Sequence, residues 1–411
     1  MEVVVVVGAG LDVHKKKIVA CCLDGRSSPP KVVKCTFGTF RDELERLREW
    51  LLKRECTHVA MESTGVYWMP VHRVLEGSPL QIILGNARHM ANVPGRKTDM
   101  SDAEWIAKLL RHGLIRPNFI PPRPIRDLRQ ITRYRRKLID TRSASELRVE
   151  KLLQTANIKL SSVASEVFGV SGRLMLRSLA KGVTDPVKLA ALAKGTLRNK
   201  RAELTRAFRG TFTADDARLL AVELNVIDDL EKRLTNLDQL IEKQVGPFAE
   251  EIARLDTIPG VDRALATDLI AEIGTDMTAW PSDRHFAAWT GTCPGNRESA
   301  GVRRRARTRD GNPYVKVILL RAAVCASHTV TSYLAARYRR LTARRGSRRA
   351  FVAIAHEIAI AIYHMLSKQQ PYIAPKAADP AVARKHKSNQ LIRELRKLGF
   401  EVTCTPTANL I

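Results

Sequence analysis

Four carboxylates, Asp12, Glu62, Asp99 and Asp102, stand in the first quarter of the chain where an acid is otherwise hard to explain. Asp12 follows the unbroken valine run Val3–Val7 and reads as a residue on a buried strand. Glu62 closes a second apolar run, His58-Val-Ala-Met61. Asp99 and Asp102 lie three apart at the start of a helix-like stretch and would share one of its faces. Buried carboxylates repel one another unless a cation neutralises them. Acids at strand ends, converging with such a pair, can hold two hard divalent cations that clamp a phosphodiester.

A second constellation lies far downstream. Arg303, Arg304, Arg305, Arg307 and Arg309 put five arginines within seven residues, and Arg344, Arg345, Arg348 and Arg349 form another cluster. Guanidinium groups this dense need anions between them, and phosphate is the natural partner. Ser299 precedes the first cluster. It reads either as an ordinary turn serine or as a nucleophile whose phosphoester would sit among guanidinium groups. Leu255–Ala266, with Pro259-Gly260 at its centre, resembles a helix-hairpin-helix element, a turn that can offer backbone N–H groups to phosphate. Asp262 replaces the usual second glycine, so a purely structural hairpin is the alternative.

The elements that must position these groups follow from patterning. Val3–Val13, Ile18–Leu23 and Lys31–Phe37 read as a three-strand meander. Thr39, with Asp42 three residues on, reads as the N-cap of a helix through Leu52. A strand ending at Glu62, a short helix over Tyr67–Leu75 and a strand at Gln81–Leu84 complete an α/β order expected of an RNase H-like sheet, residues 1–120. Gly8-Ala-Gly10 mimics the opening of a dinucleotide fingerprint, but the third glycine position is Val13 and no helix pattern follows. The Pro-rich segment Pro117–Pro124 marks a linker. Residues 121–250 then read as long, charged helix. There Leu224, Ile227, Leu230, Leu234, Leu237 and Ile241 recur near heptad spacing, for packing in the chain's own domain or for a dimerising coiled coil. Residues 251–375 read as a mostly helical third domain and 376–411 as a basic tail.

Composition narrows the partners. The 411 residues carry 69 Lys and Arg against 42 Asp and Glu, a net charge of +27 that points to nucleic acid. Aromatics are only 5% of the chain, which argues against stacking on single strands as the main mode. The seven cysteines contain no CxxC, so a disulfide framework or thiolate zinc site is not expected and a reducing cytoplasm fits. The apolar N-terminus has no basic flank and Asp12 interrupts it, which gives no expectation of a membrane span. No Gly-x-x-x-x-Gly-Lys-Ser/Thr loop occurs, so ATP is not expected to drive the chemistry.

Taken together, Gly10-Leu-Asp12-Val-His-Lys, Met61-Glu62-Ser-Thr-Gly65-Val-Tyr67-Trp and Arg96-Lys-Thr-Asp99-Met-Ser-Asp102-Ala resemble the motifs of the DEDD transposases of bacterial insertion sequences. Ile258-Pro-Gly-Val, Phe286-Ala-Ala-Trp-Thr-Gly-Thr-Cys-Pro294, Ser299 and Gly311-Asn312 are similar to that family's C-terminal transposase domain. The resemblance implies a RuvC-like, RNase H-fold N-terminal domain whose acids, here Asp12, Glu62, Asp99 and Asp102, bind Mg²⁺. It implies that a serine, here Ser299, holds DNA through a covalent phosphoserine. Double-stranded DNA, both element ends and target, would be the substrate, and a structured non-coding bridge RNA would choose it. A homo-oligomer, a dimer or a tetramer on DNA, would build composite sites. Two departures are plain: Ala300 stands between Ser299 and Gly301, and Val315-Lys316 replaces the family's usual Leu-Arg pair. Ser282 and Ser327 are the nearest other serines.

Overall fold

The computed structural model describes residues 2–94, 101–295, 298–299, 302–303 and 307–375, together with 388, 391–392, 395–396 and 399–402. Most of the basic tail and Asp99 therefore lie outside the described residues. The chain divides into two compact units, Met1–Pro121 and Pro122–Ile411.

The first unit is built on a five-stranded sheet of β1 (Val7–Val13), β2 (Ile18–Asp24), β3 (Lys31–Phe37), β4 (His58–Glu62) and β5 (Gln81–Gly85), in the order β3-β2-β1-β4-β5. The first three strands pair antiparallel, and β1–β4 and β4–β5 pair parallel. Strand periodicity assigns the faces. Ala9, Leu11, Val59 and Met61 point to a core with α1 (Arg41–Lys53) and α2 (Trp68–Leu75). Ala60 points the other way, to the core of Trp105, Ile106 and Leu109, which belong to α4 (Asp102–Arg111). The short α3 (Ala87–Ala91) lies between β5 and α4 in the chain.

Two expectations about this unit need correction. Val3–Val6 is not strand: the backbone N–H groups of Val4 and Val5 donate to the carbonyl of Arg111, and Val4 and Val6 are exposed. Thr39 does not cap α1 either. The cap position is Phe40, without a side-chain cap bond, while the Thr39 hydroxyl donates to the Lys15 carbonyl. Glu43 reaches back instead to accept from the Gly38 N–H at 3.1 Å, ahead of the cap.

The second unit is helical. Its spine is an antiparallel pair, α5 (Arg123–Thr155, 33 residues) and α9 (Ala214–Gln244, 31 residues), each nearly 50 Å long at about 1.5 Å per residue. Arg135 near the start of α5 bonds Asp238 near the end of α9 at 2.5 Å, and Arg148 meets Glu223 at 3.2 Å. The heptad-like stripe is used here, within one chain: Leu138 of α5 packs with Leu230, Leu234 and Leu237. Between them in sequence, α6 (Val170–Ala180), α7 (Pro186–Ala191) and α8 (Arg201–Ala207) cover one end of the pair around Leu153, Leu176, Leu204 and Ile227. Thr213 and Asp216 form a reciprocal capping box at the start of α9.

The remainder comprises α10 (Ala249–Asp256), α11 (Arg263–Ile273), α12 (Asp283–Trp289), α13 (Pro313–His328), α14 (Tyr333–Arg345) and α15 (Ser347–Lys368). By length and composition α15 is apolar enough to cross a membrane, yet Ile354, Ile358 and Ile362 are fully buried against neighbouring helices of this unit.

Candidate functional site

One end of the sheet gathers three of the four acids. Leu11 and Met61 are the last paired residues between parallel β1 and β4, and Asp12 and Glu62 come immediately after them. By alternation both fall on the α4 face, as Gly10 and Ala60 do. Asp102 is the first residue of α4, whose N-cap is Ser101. That helix lies directly on β1: a Cβ added at Gly10 would stand 2.2 Å from the Ala103 carbonyl oxygen and 2.4 Å from the Ala107 nitrogen. Gly10 is thus what lets the start of α4 approach the strand that carries Asp12. Asp99 precedes this helix in sequence and lies outside the described residues.

Each acid has its own neighbours. The Asp12 carboxylate meets His14 Nε2 at 2.9 Å and is 24% exposed. Glu62 accepts from the Thr64 hydroxyl at 3.3 Å. Glu104, a further acid in the first turn of α4, belongs to a different arrangement. Lys34 at 2.7 Å and Lys108 at 2.9 Å neutralise it and hold its carboxyl below the usual range. Burial pushes the adjacent Cys21 thiol up to about 11. Among the described residues no three Asp, Glu, His or Cys side chains stand close enough to hold a metal ion. The donor type nonetheless suits a hard cation, since Asp12, Glu62 and Asp102 all offer carboxylate oxygen.

Ser299 belongs to a two-stranded arm. The arm starts where the Arg309 N–H donates to the Cys293 carbonyl and the Gly295 N–H to the Arg307 carbonyl. It continues through β6 (Glu298–Ser299) and β7 (Val302–Arg303), with Ser299 opposite Val302. Ser299 is thus the last paired residue before Ala300 and Gly301, which lie outside the described residues, as do Arg304 and Arg305. Arg307 and Arg309 are exposed on the returning strand, and Arg344, Arg345, Arg348 and Arg349 are exposed around Gly346, the turn from α14 into α15. The other two serines serve structure. Ser282 caps α12 and meets His285 Nδ1 at 2.8 Å, and Ser327 donates back to the Val324 carbonyl within α13. Lys316, one of the departures, donates to the Thr308 hydroxyl at 2.6 Å and so braces the arm.

The Pro259-Gly260 turn joins α10 to α11. Gly260 has a φ of +87°, and a Cβ there would lie 2.2 Å from the Ala326 nitrogen, so the turn is pressed onto α13. The Asp262 carboxylate accepts from the Leu265 N–H at 2.8 Å and caps α11. The chain's own acid therefore occupies this helix N-terminus, which favours the structural role for the hairpin.

Sequence reasoning missed a buried node at the root of the arm. Glu272, only 2% exposed, takes a bidentate bond from Arg133 at 2.6 and 2.7 Å, a second guanidinium from Arg129 at 3.6 Å and the Asn312 amide at 3.3 Å. Burial draws Arg129 down to about 10, and burial raises the nearby Asp268 carboxyl to about 6. Arg133 also lies 3.8 Å over the ring of Tyr314. The available signal was an acid, Glu272, between Ala271 and Ile273 at the end of the short apolar run that starts at Leu269.

Residues 9–158 match a family described as "Transposase", and residues 252–339 match the "Transposase IS116/IS110/IS902 family". The chain belongs to this family of insertion-sequence transposases. It is 25% identical over 328 residues to the "Transposase for insertion sequence element IS1111A" of Coxiella burnetii (strain RSA 493 / Nine Mile phase I), covering 76% of this chain and 79% of that relative.

Proposed function

We propose that this transposase recombines DNA through a 5′-phosphoserine link made by Ser299, with Asp12, Glu62, Asp99 and Asp102 as its metal-binding acids and a structured non-coding RNA as its guide. The observation that supports the reading is that Asp12 and Glu62 directly follow the last paired residues of β1 and β4, while Asp102 opens the helix that Gly10 admits onto β1. A three-strand antiparallel meander continued by two parallel strands is also the order of an RNase H-like sheet, which supports a RuvC-like first unit.

Bound Mg²⁺ would offset the negative charge on the scissile phosphate and polarise the oxygens around it. Asp12 and Glu62 supply carboxylates from rigid strands, and Asp102 supplies one from a helix held on the same sheet. The Ser299 Oγ forms its bond to phosphorus as the bond from phosphorus to the 3′-oxygen breaks. The serine proton passes to the departing oxygen, which becomes a 3′-hydroxyl. Because the ester conserves the energy of the broken link, rejoining to a new 3′-end needs no nucleotide triphosphate. The exposed arginines of the arm and of the α14–α15 turn offer bidentate donors to the DNA or RNA backbone. A homo-oligomer that brings acids and serine from different copies to one scissile phosphate accommodates both halves of this chemistry.

The test incubates the purified protein with Mg²⁺, RNA from the flanks of its gene and labelled junction DNA, and resolves the products on a denaturing gel. A detergent-resistant, protease-sensitive protein–DNA band should appear, and should vanish in Ser299→Ala and in Asp102→Ala. Free cleaved DNA from both wild type and Ser299→Ala would replace this reading with hydrolysis by metal-activated water. Covalent complex without added RNA would remove the guide from the proposal.

A further inference from the structure

We infer that Glu272 is a positioning residue for the arm that carries Ser299, acting through Asn312; this rests on the reading of Ser299 as nucleophile. Glu272 sits near the end of α11 and joins three parts of the helical unit. From α5 it receives Arg133 on both carboxylate oxygens and Arg129, whose own guanidinium also donates to the carbonyls of Ala271 at 3.0 Å and Glu272 at 2.6 Å. From the start of α13 it receives the Asn312 amide.

Asn312 turns this junction toward the arm. Its side-chain oxygen accepts from the N–H groups of Tyr314 and Val315 and so caps α13, while its backbone N–H donates to the Trp289 carbonyl at 2.9 Å. An amide can satisfy both duties only in one orientation, with oxygen toward α13 and nitrogen toward Glu272. Gly311, beside it, is held so closely that an added Cβ would lie 2.3 Å from the Gly291 nitrogen. Both strands of the arm leave from this clasp, one after Gly291 and the other before Gly311. Glu272 therefore selects the Asn312 orientation, Asn312 fixes the clasp, and the clasp sets the direction in which the arm presents Ser299.

A carboxylate buried merely to neutralise Arg129 and Arg133 would need no amide partner, and the two roles respond differently to exchange. Glu272→Gln leaves one acceptor oxygen where two carboxylate oxygens served Arg133 and Asn312, so its N–H₂ group must face one of these donors. Asn312→Asp puts two carboxylates together, although Asp caps a helix as well as Asn does. The double variant restores one donor facing one acceptor and keeps a single carboxylate at the junction. The rate of covalent complex formation is measured under single turnover, well below the melting temperature, beside DNA affinity and melting temperature. Each single variant should lose about tenfold or more in the covalent step, of the order that a small misplacement of a reacting group costs. DNA affinity should stay within about threefold, and the double variant should regain most of the rate. Loss of rate in the double variant equal to the product of the single losses would overturn the inference. So would losses that follow melting temperature or DNA affinity alone. If wild-type protein itself forms no Ser299-dependent complex, the reading of Ser299 fails instead, and the control lane shows this separately.

Discussion

Replacing Gly10 by Ala tests whether the helix on β1 positions the chemistry. The Gly10 backbone is ordinary extended strand, so alanine is conformationally welcome and by chain entropy alone would stabilise by about 0.4–1 kcal/mol. The obstacle is space. The new methyl would stand 2.2 Å from the Ala103 oxygen and 2.4 Å from the Ala107 nitrogen, more than an ångström and about an ångström inside the 3.4 Å where ordinary contact begins. Both atoms are helix backbone, which cannot turn aside as a side chain can. The start of α4 must withdraw, and Asp102 moves with it. Overpacking of this kind costs about 1–3 kcal/mol, so the net loss is on the order of 1–2 kcal/mol and several degrees of melting temperature. A displacement near 1 Å at a reacting group can cost about 10²-fold in rate, far more than the folded fraction loses. Gly8→Ala is the control, because its methyl would meet the side-chain ends of Val5 at 2.9 Å and Leu110 at 3.1 Å. Thermal melts and single-turnover recombination of both variants decide it. A Gly10→Ala protein recombining within about threefold of wild type would refute the argument that α4 sets the acids.

Other outcomes follow from the same geometry. Removing Arg344 and Arg345 together should lower the slope of log affinity against log salt by about two for nucleic acid, without favouring one sequence over another. An unchanged slope would take that turn out of the interface. Asp268 has its carboxyl raised to about 6 by burial, so ionisation opposes folding at neutral pH. Asp268→Asn should therefore stabilise at pH 8, by at most about 3 kcal/mol. The gain should shrink as pH falls through 6 and vanish below about 4, which denaturant melts across pH would register. Ile227→Ala, at a fully buried position facing the α5–α9 core, should destabilise by about 2–5 kcal/mol in the same assay.

Much of the first unit was legible because its signals are local. Strands β2, β3 and β4 start where alternation or an apolar run begins, and Glu62 ends its strand as read. The start of β1 was not legible, since Val3–Val6 has the composition of a strand but finds its backbone partner at Arg111, over a hundred residues away. The Thr39 cap failed for a similar reason: its hydroxyl is taken by the Lys15 carbonyl, 24 residues away. In the helical unit the stripe from Leu224 to Ile241 was plain, but periodicity cannot say whether its partner is another chain or α5. Of the candidate acids, Asp12 and Glu62 stood out beside apolar runs, and Asp99 and Asp102 as a pair three apart at a helix start. The Glu272 node did not, because its donors Arg133 and Asn312 are 139 and 40 residues distant and a charge pattern has no marker at such range.

The antiparallel pairing of α5 with α9 has a kinetic corollary. A zipper closed within one chain assembles by a first-order step, with an effective concentration fixed by its connecting segment rather than by how much protein a cell makes. A helical spine that depended on a second copy would melt on dilution. Here the 31 residues of α9 find their apolar partner wherever the chain is, so each copy can reach DNA with its spine already formed.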